Sequence, residues 1–383
     1  MKNKKSFSRR TFLTGTLTTG ALAITPKSLR SNENIFSYIT RHGPSSGIAK
    51  LNGNENPYGP SQKALRAINE ASKKSGYYVH TSGETLRSMI AEKNGLTNDY
   101  IILSSGSTAA LTNIALASIK KGHILAPDLF WDSTANLAAG TSQNKLKRLP
   151  SNTKHQIDLG IMKNSISKDI SLVHITNPNN PTGSVLNNSD LKEFCREVSK
   201  TCTILIDEAY NDLTDNPKSS TMIPLIKEGR NIIVTRTFSK IHGLAGLRIG
   251  YMIAKPKLIK EIMKFGIIGN WTTNHAGIAA AIASYNDKNF LSHSKAMINE
   301  GKEMVMEAVK KNGLSALPSK ANFIFVNLGS LNADKFKASM AKRNIIISGI
   351  YRNHKNWSRV SMGKISDIQR YVNAMPEALE EIS

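Results

Sequence analysis

Cysteine is nearly absent, with Cys195 and Cys202 the only two in 383 residues. No Cys-x-x-Cys pair or mixed Cys/His spacing surrounds them, which argues against a disulfide framework or a zinc site. The two thiols read as core residues at a helix-to-strand transition. Acidic residues are also scarce, 28 against 51 Lys and Arg, for a formal net charge of +23. A field of that sign attracts anions. The lysines, however, are spread along helices such as 255–264, and no basic cluster interleaved with aromatics accompanies them. That argues for a solvated basic surface and against a nucleic-acid partner. Long apolar runs are missing too. Nothing approaches the ~20 residues that cross a bilayer, so no stable membrane insertion is expected. Internal repeats and low-complexity linkers are likewise lacking.

What is present begins with a basic N-terminus. Residues 1–23 carry Lys2, Lys4, Lys5, Arg9 and Arg10 and no acid, leaving 23 − 5 = +18 for the remainder. Ser8-Arg9-Arg10-Thr11-Phe12-Leu13 precedes a mildly apolar stretch, and Ala21-Leu22-Ala23 offers the small residues a signal peptidase requires. The pattern resembles a twin-arginine export signal. A helix over Thr11–Ile24 would reach about 21 Å at ~1.5 Å per residue, short of a ~30 Å hydrocarbon core. A cleaved signal is therefore favoured over an anchor, and the implied partner is the twin-arginine export machinery, with a periplasmic or otherwise exported location.

After a polar segment to about Ala49, helical and strand patterns alternate. Ser61–Lys74 reads as an amphipathic helix capped by Ser61, with Ala64, Leu65, Ile68 and Ala71 on one face. Apolar runs at Ile101–Leu103, His123–Ala126, Leu172–Ile175, Ile204–Ile206 and Ile232–Val234 are separated by helical segments. Runs buried on both faces and alternating with helices imply a parallel sheet covered on both sides, a three-layer α/β/α architecture. From about Ala276 long helices and isolated strands (Phe323–Leu328, Ile345–Ile347, Arg359–Ser361) suggest a smaller α+β domain. The expected organisation is a signal (1–23), an N-terminal arm and helix (24–75), a large domain (76–275) and a small C-terminal domain (276–383).

The chemistry concentrates around Lys240, between the strand Asn231–Arg236 and a glycine-punctuated loop. A lysine at a strand end is held poorly solvated, which lowers its pKa and makes its amine a nucleophile toward aldehydes. Arg248 follows as an always-charged fork suited to phosphate. An aldehyde-seeking amine beside a phosphate clamp points to pyridoxal phosphate. Ser105-Gly106-Ser107-Thr108 opens a helix whose free N–H groups form a second phosphate seat. Asn177-Pro-Asn-Asn-Pro-Thr-Gly183 is a rigid loop at the carboxyl end of a parallel strand, where ligands of such sheets bind. Asp207 ends its strand, where a carboxylate facing a pyridine nitrogen would keep it protonated, and Tyr210 can bond the ring hydroxyl. Phe130 or Trp131 is placed to stack on the ring.

In this order the elements resemble the fold-type I aminotransferases of class I/II, specifically the histidinol-phosphate aminotransferase-like branch. The likeness runs from Leu51-Asn-Gly-Asn-Glu-Asn-Pro-Tyr-Gly-Pro60 to Arg359-Val-Ser-Met-Gly363. It implies that Lys240 anchors the cofactor and shuttles a proton, with Asp207 holding the ring nitrogen. Asn180 and Tyr210 would bind the ring hydroxyl, Phe130 would stack, and Gly106, Ser107, Thr108, Ser239 and Arg248 would hold the phosphate. Arg359 resembles the family's carboxylate-binding arginine, and Tyr58 would line the substrate entrance. Tyr78 matches a tyrosine that reaches the cofactor phosphate of a neighbouring subunit, implying a homodimer. One departure concerns the substrate: where the branch commonly carries a phosphate-binding arginine, this chain has Ser348-Gly349, with Arg352 further on. The expected activity is amino-group transfer between an amino acid and a 2-oxo acid, with a substrate other than histidinol phosphate. The same site could instead decarboxylate, racemise or eliminate. A non-enzymatic binding protein would have no need of both Lys240 and Asp207.

Overall fold

The computed structural model describes residues 43–142, 145–152, 154–266 and 268–383. The export-signal pattern at 1–23 lies outside the described residues. Gly47–Ser383 form one compact unit.

Along the chain the strands are β1 (Ala49–Lys50), β2 (Ile101–Ser105), β3 (His123–Pro127), β4 (Leu146–Leu149), β5 (Ile170–Thr176), β6 (Thr203–Asp207), β7 (Ile232–Thr237), β8 (Ile249–Ile253), β9 (Ser315–Ala316), β10 (Phe323–Asn327), β11 (Ile345–Ile346) and β12 (Trp357–Ser361). The central sheet has seven strands in the order β2-β8-β7-β6-β5-β3-β4. β3 through β7 run parallel, while β8 is antiparallel to both β7 and β2. The sequence pattern gives no strand expectation for β8, which follows the glycine-punctuated loop and Arg248. All five of its residues are buried, as a central strand between two neighbours requires.

The main helices are α1 (Gln62–Ser72), α2 (Thr81–Asn94), α3 (Gly106–Ile119), α4 (Asn188–Val198), α5 (His275–Tyr285), α6 (Lys288–Lys311), α7 (Ala333–Lys342) and α8 (Ile365–Glu380). Ser61 caps α1 as expected, its Oγ accepting the Ala64 N–H at 3.2 Å. Leu65, placed by periodicity on the inner face, is 42% exposed; Ala64 and Ile68 face the core instead.

One face of the sheet buries Ile204, Ile206, Val234 and Ile253 with Phe194 of α4 and Ile278 and Ala281 of α5. The other buries Leu172, Leu205 and Ile233 against Leu111 and Ile114 of α3. A further core gathers Ile298 and Val305 of α6, Phe323 and Val326 of β10, Phe336 of α7, and Tyr371 and Met375 of α8. Ala49 and Leu51 join that core, because β1 pairs in parallel with β11. The compact unit therefore begins among its C-terminal elements at β1 and passes Asn52–Glu55 across the edge of the central sheet. Cys195 and Cys202 are free and buried. Burial pushes their thiols up, to about 12 and about 11.

Candidate active site

The carboxyl ends of β5, β6 and β7 lie side by side, since Thr176 pairs with Asp207 and Asp207 with Thr235. β2 is parallel to β7 across the intervening β8, so its carboxyl end reaches the same edge. Ser105 pairs with Ile249 there, which brings Gly106 to Arg248. Residues far apart in sequence thus surround one cavity of about 460 Å³.

Lys240 stands three residues beyond β7. Its Nζ donates to the Asn54 carbonyl at 3.2 Å and lies 5.4 Å from the centre of the Tyr210 ring. Burial, reinforced by the Arg359 guanidinium and opposed by Asp207, lowers its pKa to about 8. The same burial raises Asp207 to about 6, against the hydrogen bond from Thr235 Oγ1 at 3.0 Å and the charge of Lys240. Tyr210 is raised to about 12 by burial, so its phenol stays protonated. It accepts from Asn54 Nδ2 at 3.0 Å and Asn180 Nδ2 at 3.4 Å.

Across the cavity, Arg248 Nη2 reaches Thr108 Oγ1 and Nη1 reaches Ser239 Oγ, each at 3.4 Å; Nη1 also donates to the Ala245 carbonyl at 3.0 Å. Gly106 has φ +68°, and a Cβ there would sit 2.3 Å from Arg248 Nη2. Only glycine allows the guanidinium to close over the start of α3, where first-turn N–H groups have no intrahelical partner. Arg359 is 7% exposed. Its Nη1 donates to Asn180 Oδ1 at 2.7 Å, and its Nη2 to the Asn52 carbonyl at 2.7 Å and Ser348 Oγ at 3.2 Å.

Ser107, Thr108, Asn180, Asp207, Tyr210, Ser239, Lys240, Arg248 and Arg359 all line this cavity. Gly106 lies under the Arg248 guanidinium rather than in the wall, and three other expected residues do not line the cavity either. Phe130 packs behind it against Ala126, Ala135 and His174, whose ring lies 5.0 Å away. Its neighbour Trp131 is the aromatic in the wall. Leu129 is held by Phe325 and Trp357, and its carbonyl accepts from Asn179 Nδ2 at 3.0 Å, so Phe130 turns inward and Trp131 faces the cavity. Tyr58 is engaged elsewhere, its hydroxyl accepting the Ile365 N–H at 2.9 Å and its ring lying against His293. Tyr78 is 79% exposed beside an equally open Tyr77. Arg352, the alternative to an arginine at 348, is paired with Asp128 at 2.8 Å, away from the cavity.

The sequence reading missed Asn54, whose contacts to Lys240 and Tyr210 are described above. Its signal was faint: an Asn within Asn52–Asn56, a residue type that tolerates the left-handed φ of +52° it adopts. Thr176 was also missed. It lines the cavity, and its Oγ1 is buried without a protein partner.

These features suit pyridoxal phosphate. A cation, hydroxyls and free N–H groups meet its phosphate side, a carboxylate and a low-pKa amine meet its ring side, and the Thr176 hydroxyl is left for a ligand atom. Fold and site together define a fold-type I, pyridoxal-phosphate-dependent enzyme. Residues 46–375 match the aminotransferase class I and II family, and the chain belongs to it. It is 31% identical over 336 residues to a histidinol-phosphate aminotransferase of Moorella thermoacetica, covering 87% of this chain and 86% of that one. It is 32% identical over 343 residues to histidinol-phosphate aminotransferase 2 of Carboxydothermus hydrogenoformans, covering 88% and 92%. In fold it resembles the Sinorhizobium meliloti histidinol-phosphate aminotransferase solved with pyridoxal-5′-phosphate, with a TM-score of 0.79, 24% identity, and 94% of this chain and 99% of that one covered. The protein is a pyridoxal-phosphate-dependent aminotransferase.

Proposed function

We propose that this aminotransferase takes an amino acid by its carboxylate, through Arg359, and that its substrate carries no phosphate. One observation carries the reading. Arg359 and Lys240 line the same cavity, while the two positions that could add a second cation are committed elsewhere, Ser348 to Arg359 and Arg352 to Asp128.

Pyridoxal phosphate supplies the electron sink that makes the substrate α-hydrogen acidic. Lys240 would hold the cofactor's aldehyde carbon, Asp207 its ring nitrogen, and Asn180 and Tyr210 its ring hydroxyl. Trp131 would cover its face, and Gly106, Ser107, Thr108, Ser239 and Arg248 would seat its phosphate. Arg359 fixes the substrate carboxylate, so the α-hydrogen is presented to Lys240 Nζ and the carboxylate is retained. With a pKa near 8, that amine can accept a proton near neutral pH, where an ordinary lysine cannot.

The active unit is a homodimer in this reading, supported by Tyr78 standing free to reach a second copy's phosphate. The working location is outside the cytoplasm, supported by the twin-arginine pattern at Ser8–Leu13.

A donor panel tests the substrate. Holoenzyme is incubated with individual amino acids and histidinol phosphate while oxo-acid formation is measured. Unphosphorylated amino acids should yield oxo acid. Turnover of histidinol phosphate alone would overturn the proposal, and carbon dioxide release or racemisation without amine transfer would move the reaction class.

A further inference from the structure

Two buried amides meet the phenol oxygen of Tyr210, and neither is free to flip. Asn180 Oδ1 accepts from Arg359 Nη1 at 2.7 Å, and arginine has nothing to donate to but an acceptor, so Nδ2 turns to Tyr210. Asn54 is fixed through Ser361. Ser361 Oγ accepts the Asn54 backbone N–H at 3.0 Å and lies 2.5 Å from Asn54 Oδ1. That spacing suits an O–H···O bond and is too short for N–H···O. The reverse orientation would also leave the serine proton without an acceptor among the described residues. Asn54 Nδ2 therefore donates to Tyr210 at 3.0 Å. Asn54, Ser361 and Tyr210 are all at most 4% exposed, so water does not compete.

With both amides donating to its oxygen, the phenol's one proton must leave toward the cavity. We infer that Ser361 and Asn54 are positioning residues that make Tyr210 an obligatory hydrogen-bond donor to the cofactor's ring oxygen. Burial, which holds the phenol protonated, keeps that proton available. The inference rests on the reading that Tyr210 meets the ring oxygen. Ser361 lies on β12 two residues beyond Arg359, so the strand that would grip the substrate also orients the proton that tunes the cofactor.

Donation to the ring oxygen favours its anionic form, so losing it moves the midpoint of the bound cofactor's pH-dependent visible absorbance upward. Holoenzyme is titrated spectrophotometrically as wild type and as Asn54→Asp, Ser361→Ala, Tyr210→Phe and Asn54→Asp/Tyr210→Phe. Asn54→Asp is nearly isosteric and tolerates the same backbone, yet its carboxylate accepts the phenol proton. Its midpoint should rise by about one pH unit, as should that of Tyr210→Phe, with a smaller rise for Ser361→Ala. In the double variant the Asn54→Asp effect should largely vanish, because both changes remove one bond. The inference is overturned if Tyr210→Phe moves the midpoint while Asn54→Asp and Ser361→Ala do not. It is equally overturned if the Asn54→Asp shift persists in full without the phenol, which would mark simple charge repulsion. No shift in Tyr210→Phe itself would instead refute the contact between Tyr210 and the ring oxygen.

Discussion

The cofactor-free protein should carry in this cavity a lysine that titrates well below an ordinary one; outside it, burial lowers Lys302 as well, to about 8. Burial and the Arg359 guanidinium take Lys240 from 10.5 to about 8. At pH 7 about a tenth of Lys240 is then the neutral amine, against about one part in 3,000 for an ordinary lysine, a roughly 300-fold difference in nucleophile supply. Neutralising its neighbours should move this value in opposite directions. Arg359→Gln removes a like charge and should raise the pKa; Asp207→Asn removes an opposite charge and should lower it. Competitive labelling of the apoenzyme with acetic anhydride across pH, read at Lys240 by mass spectrometry, gives the titration directly. The expected rate rises with pH and levels off above about 8 in the wild type. A break near 10.5, or the same direction of shift in both variants, would refute the electrostatic account of the site.

Gly106→Ala should weaken cofactor binding at least about tenfold in an equilibrium titration, because its Cβ would occupy the Arg248 guanidinium at 2.3 Å and strain a left-handed backbone. Unchanged affinity would show that the Arg248 cradle does not hold the phosphate. Trp131→Ala should cost about tenfold in cofactor affinity, whereas Phe130→Leu should leave affinity nearly intact and lower unfolding stability; the reverse result would put the stacking ring at Phe130. Glu208 carries Arg236 in a pair at 2.7 Å, with side chains 1% and 12% exposed. Glu208→Gln leaves that guanidinium without a charge partner and should cost about 3 kcal/mol in urea unfolding; a loss below ~1 kcal/mol would mean that water reaches Arg236.

Both architecture and site were largely legible along the chain, for a physical reason. Buried parallel strands must be apolar on both faces, so β3, β5, β6 and β7 announce themselves as short runs. Ligands of such sheets bind at strand carboxyl ends, which marked Asp207, Lys240 and the Asn177–Gly183 loop before any coordinates. β8 was harder to see, because it follows directly on the loop that brings Arg248 over Gly106.

By itself, then, the sequence determined the chemistry: an amine after one strand, a carboxylate after another, and an arginine and small residues for a phosphate. Residue type and strand-end position are local properties, and that chemistry depends on them. Which neighbour turns inward is not local. Trp131 rather than Phe130 faces the cavity because Leu129 is held by Phe325 and Trp357, more than 190 residues away by number. Tyr58 is lost to Ile365 and Arg352 to Asp128, partners 307 and 224 residues away. Asn54, unremarkable in its motif, gains its place from Ser361 on β12. Tertiary structure decided these points because each depends on a hydrogen bond or packing contact between segments that the sequence keeps far apart.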